Sequence, residues 1–235
     1  MIYPLIAALA PVVMLFYYIY RKDQFAKEPV KELLKAFGLG VLSTMVSFCI
    51  SIPLDILGFF PAYPSTVWDA VTISFFGAAI PEEIAKFFLF WLFVRRNRYF
   101  DEHMDGIVYA SVISLGFAGL ENIMYLFSAR DWVATGIMRA LFSVPGHFFF
   151  GILMGYYYSL VRFDPLTPSI NKFLVLGAPI LAHGLYDTIV FARGVLPEYI
   201  ATILMVVLVF FCNSLRKQAS RRIRLHLIED GVIES

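Results

Sequence analysis

The stretch VWDAVTISFFGAAIPEEIAKFFLFWLFV covers residues 67–94 and is apolar along almost its whole length. A helix of that length exceeds the about 30 Å of hydrocarbon in a bilayer. At its centre stand Glu82, Glu83 and Lys86. An ionised side chain at the bilayer centre costs about 2.5–3.5 kcal/mol on insertion scales, so such groups face a protein interior or a wet cavity. The stretch therefore reads as a membrane span with a polar purpose.

The rest of the chain agrees. Its 235 residues are 60% hydrophobic and 17% aromatic, with only 16% charged, and mean hydropathy is +0.74. A soluble domain of this size cannot hide that much apolar surface. Net charge is +1, which gives no field directed at nucleic acid, and there is no basic-aromatic patch or low-complexity tract. Cys49 and Cys212 both lie in apolar runs, fit no metal spacing and read as small hydrophobes.

Seven apolar segments follow one another, at roughly 2–20, 33–60, 67–94, 105–127, 134–160, 172–192 and 196–214. The first lacks a basic region before its apolar run, and Arg21 and Lys22 follow it instead, so it reads as a retained helix rather than a cleaved signal. Of the 19 basic residues, 15 fall in segments 21–35, 95–104, 161–172 and 215–235; the opposite loops hold only Arg130 and Arg193, and Lys86 and Arg139 lie inside spans. This asymmetry puts the N-terminus outside and the C-terminus in the cytoplasm. The expected fold is an all-α, polytopic transmembrane helix bundle of about seven spans, with residues 1–235 forming one integral-membrane domain.

Deep in the spans are Glu82, Glu83 and Lys86, then Glu121, then Arg139 and His147, then His183 and Asp187. Glu82 and Lys86 are four apart and share a helix face, while Glu83 diverges from Glu82 by about 100°. His183 and Asp187 in LAHGLYDTI are also four apart. Glu121 follows the small residues Gly116, Ala118 and Gly119, which permit close helix approach. His147 follows Pro145, which should kink or loosen its helix. Four segments thus place polar groups at similar depth, which predicts one shared cluster. Lys86 and Arg139 read as structural partners of carboxylates. Asp55, Asp69 and Asp105 lie nearer span ends, where an interfacial role suffices.

Carboxylates and histidines together can activate water. Burial makes a carboxylate a usable base, and a histidine can donate a proton or support an oxyanion. Asp187 would orient His183. We expect Glu83 to activate the water, with Glu82 held by Lys86 or positioning substrate, and no cofactor. The alternative is zinc on Glu121, His147 and His183 with one open position, although no HExxH helix is present.

The same residues carry a family resemblance. RKDQFAKEPV, PEEIAKFF, FDEHMDGIVYASVISLGFAGLENIMY, RALFSVPGHFFFGILMGYY and LAHGLYD together resemble the PrsW family of bacterial intramembrane proteases, from about residue 20 to about 190. That family is similar in motif layout to the CAAX prenyl endopeptidases and bacteriocin-immunity-type proteases. The resemblance implies a glutamate-centred endopeptidase in the bacterial cytoplasmic membrane. It also implies a first cut on a single-span anti-sigma factor, releasing a stress response. Carried onto this chain, its functional positions are Glu82, Glu83, Glu121, His147, His183 and Asp187, with Glu102 in FDEHMD as a secondary candidate. The prenyl proteases have histidine where this chain has Glu121. The rival class is a proton-coupled transporter or ion pathway, which uses the same residue types. No inverted repeat or pair of broken helices supports it.

Overall fold

A computed structural model of the chain describes residues 2–23 and 27–233. The described residues form nine α-helices and two π-helical segments, with no strand: α1 Ile2–Lys22, α2 Val30–Ile56, α3 Val67–Thr72, α4 Ile80–Val94, α5 His103–Ser128, α6 Trp132–Met138, α7 Val144–Phe163, α8 Ser169–Ala192 and α9 Glu198–Glu229. The π segment Ile73–Ala79 joins α3 to α4, and Arg139–Ser143 joins α6 to α7. Nine helices therefore make seven continuous runs, matching the seven apolar segments in order.

Six of these runs are long and apolar enough to cross a membrane. The seventh, 67–94, is long enough but carries Glu82, Glu83 and Lys86 together. Helix starts follow local chemistry. Thr66 and Asp69 form a capping box at α3, Glu102 and Asp105 another at α5, and Pro29, Pro168 and Pro197 precede α2, α8 and α9. The near-end carboxylates Asp69 and Asp105 are thus helix caps.

α9 runs beyond the apolar segment that ends at 214. Leu215, Ala219, Ile223 and Leu227 keep a buried stripe at helical spacing along the basic tail. Arg222 then donates to the Tyr157 hydroxyl at 2.9 Å, and Asp230 accepts from the backbone N–H of His103 and Met104 at 2.9 and 2.8 Å. These contacts bring the segments before α5 and after α9 to one end of the bundle, as the alternating topology requires.

α5 is the axis of the bundle. From Met104 to Gly119 it is buried on every side, with α7, α2 and α1 packed around it. The α5–α7 contact is backbone on backbone. A Cβ on Gly155 would lie 2.0 Å from the Gly106 carbonyl oxygen, and one on Gly116 would lie 2.2 Å from the Phe37 oxygen of α2. Gly116 therefore does what its place in the sequence suggested. Gly119 does not, since its nearest neighbours are 3.7 Å away or more.

Both π segments end just before a proline, Pro81 or Pro145. Proline lacks an N–H and its ring clashes with the carbonyl four residues back. The wider π turn relieves that clash without breaking the run. It also turns the residues that follow away from the face an unbroken α-helix would give them. Those residues are Glu82 and Glu83 after one segment and His147 after the other.

Candidate active site

α4, α5, α7 and α8 each send polar side chains to one point in the bundle. The Lys86 ammonium, fully buried, donates to Glu83 Oε1 at 2.8 Å, sits 3.0 Å from His147 Nδ1 and lies 4.0 Å from the centre of the Phe117 ring. An ammonium has no lone pair, so His147 Nδ1 is the acceptor and its Nε2 carries the hydrogen. That Nε2 donates to Glu121 Oε2 at 2.9 Å.

Arg139, from the second π segment, holds Glu121 in turn. Its Nη2 donates to Glu121 Oε2 at 2.6 Å, its Nε donates to Asn122 Oδ1 at 2.7 Å, and it stacks 4.0 Å from the Tyr125 ring centre. Asn122 donates to the Ala8 carbonyl of α1 at 2.8 Å. On the other side, His183 Nδ1 donates to Glu83 Oε1 at 2.8 Å, while Asp187 Oδ2 lies 3.2 Å from Nε2. One unbroken network therefore runs from α1 through Asn122, Arg139, Glu121, His147, Lys86, Glu83 and His183 to Asp187. The predicted convergence holds, and the two imidazoles stand 5.1 Å apart between centres.

The two glutamates differ in what they touch. Glu83 is fully buried and takes the close Lys86 contact, while Glu82 stands 3.5 Å from Lys86 and keeps 14% of its side chain exposed. Glu82 lines a cavity of about 350 Å³ with Glu121, His147, His183, Asp187 and Tyr186. Glu83 does not line it. Two neighbours diverge by about 100°, and the turn after the π segment decides which one faces the cavity.

One group of donor atoms in the cluster could hold a metal ion. The ligand atoms of Glu82, His147 and His183 lie within 4.8 Å of one another. Glu121 is instead committed to a guanidinium, whose charge opposes a cation on the same oxygen. Glu82 Oε2 is buried with no hydrogen-bond partner and lies 3.8 Å from His183 Nε2. Glu83 steadies the far nitrogen of His183, as carboxylates do behind metal-bound histidines. These residues fit a divalent metal, two imidazoles and one carboxylate with a position open to the cavity.

Residues 28–212 match the model of the PrsW family of intramembrane metalloproteases. The chain belongs to the PrsW family. It is 34% identical over 218 residues to protease PrsW of Bacillus subtilis (strain 168), covering 92% of this chain and 94% of that one. It is 35% identical over 187 residues to protease PrsW of Geobacillus kaustophilus (strain HTA426), covering 80% and 79%. No solved structure matches significantly. Family and architecture together make this a multi-pass membrane protease.

Glu102 lies elsewhere. It starts α5, and Glu121 follows about 28 Å further along that helix. Sequence reasoning missed Asn122 and Phe117 as working parts of the cluster. The amide of Asn122 was legible as a polar group inside a span. The service of Phe117 to an ammonium depends on which ring faces α4, and no local pattern carries that.

Proposed function

We propose that this protein hydrolyses a peptide bond of a single-span membrane protein at the cavity formed by α4, α5, α7 and α8. In the cell this would be the first cut of an anti-sigma factor in a stress response, made in the bacterial cytoplasmic membrane with the N-terminus outside. The observation that carries the reading is the convergence of Glu82, His147 and His183 donor atoms within 4.8 Å at the wall of a cavity.

A divalent metal, zinc by its donor set, is the cofactor this arrangement supports, held by Glu82, His147 and His183. When bound, such a metal polarises a carbonyl and acidifies water. The chain's own residues do the rest. Lys86 and Glu83 fix the two imidazoles from behind. For His147 Nε2 to serve as a ligand, its proton would pass by way of Glu121 to the cavity while Lys86 gives one of its own to Nδ1, which keeps the imidazole neutral. Asp187 and Glu121, 16% and 18% exposed, face the cavity and can accept a proton from water. Arg139 holds Glu121 in place.

The test is purified protein with a tagged single-span substrate, wild type against Glu82→Gln, with metal analysis of the same preparations. Stoichiometric metal, with cleavage lost on chelation and restored on its return, supports the reading. Full cleavage by metal-free protein returns water activation to the carboxylates alone. Proton flux in vesicles without any cleavage would favour the transport class.

A further inference from the structure

Resting on the protease reading, we infer that Arg193 recognises an acidic side chain of the substrate, a few residues from the bond that is cut. Arg193 caps the C-terminal end of α8 and lines the same cavity as Glu82, His147 and Asp187. It is half-buried, and its Nε is buried with no hydrogen-bond partner. The other cations of the site are paired, Lys86 with Glu83 and Arg139 with Glu121. The carboxylate nearest along the helix, Asp187, is held by His183. Among the described residues Arg193 makes no ion pair.

A guanidinium keeps its charge at any working pH, and in a low-dielectric wall it calls for a counter-charge. The described residues supply none, and a ligand in the cavity can. A carboxylate matches the planar fork of donors. A lipid phosphate offers similar chemistry, but Arg193 shares its cavity with the reacting groups, which favours the substrate as the source. The spacing sets the position. Arg193 lies about 9 Å beyond Asp187 and about 15 Å beyond His183 along α8. An extended peptide advances about 3.3 Å per residue, so the acidic residue falls about three to five positions to one side of the cut.

The experiment uses the full-length protein in vesicles of neutral lipid. Single-span synthetic peptides with randomised flanks are the probe, and mass spectrometry reads the cut sites. Wild type should enrich Asp and Glu at one position three to five residues from the bond. Arg193→Gln should lose that enrichment, with kcat/KM for acidic peptides falling about 10- to 100-fold, mainly through KM. Arg193→Glu should invert it toward Lys and Arg, which a merely structural role would not do. The wild-type profile tests the idea even if a variant fails to fold. Cleavage without positional charge preference overturns it. So does a wild type indifferent to peptide charge but stimulated by anionic lipid, which would make Arg193 a headgroup site. If wild type cuts none of the peptides, the protease reading fails and this inference falls with it.

Discussion

Two groups of buried carboxylates lie at different levels of α5, and they are satisfied in different ways. At the level of Glu121, carboxylates alternate with Lys86, Arg139 and two histidines beside a cavity. At the start of α5, about 24 Å away along the helix, the donors are neutral. Asp105 accepts from the backbone N–H of Asp101 and Glu102 at 2.8 and 2.9 Å, and Asp23 accepts from that of Glu28 at 2.8 Å. Glu28 accepts from the Tyr109 hydroxyl. A carboxylate held by backbone amides closes a helix end and holds a loop. One held by cations and imidazoles at a cavity wall is arranged for chemistry. Burial alone does not separate the two, but the identity of the donors does.

The largest test of that contrast sets Glu82→Gln against Asp105→Asn. The first should cut cleavage by at least about 10³-fold, about 4 kcal/mol of barrier, in a folded protein that no longer retains metal. The second should keep cleavage per folded molecule and lower stability by about 0.5–2 kcal/mol, the usual cost of a lost cap. Equal losses of cleavage would erase the distinction.

Lys86→Met probes the cationic side. It leaves Glu83 buried with its ammonium gone, and breaking a buried pair costs about 3–5 kcal/mol. Adding Glu83→Leu should restore thermal stability without restoring cleavage. Recovery of both would show the pair to be structural only. A smaller effect belongs to Glu83→Gln alone. As the support behind His183 it should weaken metal affinity or activity about 10- to 100-fold, less than Glu82→Gln does. The reverse order in matched assays would return Glu83 to the water.

The smallest effect sits in the second group. Burial, with Asp23 and Asp101 adding like charge, pushes the Glu28 carboxyl up to about 7 against hydrogen bonds with Tyr109 and Asp105. The folded state then binds more protons than the unfolded one between the ordinary 4.5 and about 7. Stability from this group is therefore full below that window and lost as pH rises through it. Glu28→Gln should flatten that decline, shrinking the gap in melting temperature between about pH 5 and about pH 8 by a few degrees. An unchanged gap would mean that Glu28 is ionised throughout.

Much of this was legible in the sequence. Apolar runs long enough to span a bilayer appear as helices in order, because the hydrocarbon allows little else. The cost of burying charge made Glu82, Glu83, Glu121, His147, His183 and Asp187 stand out, and their matched depth predicted that they would meet. Arg139 was read as the partner of a carboxylate, and it pairs with Glu121 at 2.6 Å. These are properties of single segments, counted in residues along a helix axis.

Rotation about that axis belongs to the tertiary structure. Pro81 and Pro145 marked where the helices would loosen, but only packing decided that each would widen into a π turn. That turn presents Glu82 rather than Glu83 to the cavity. Glu121 is held by a guanidinium because packing brings Arg139, 18 residues later in the chain, against it. Arg193, counted in the sequence only as one of two basic residues in the outer loops, lines the cavity because α8 lies against the π segment Ile73–Ala79. Length and hydropathy set how deep a side chain sits, since both are summed along one segment. What it faces is set by neighbours remote in sequence, and only the packed bundle brings those together.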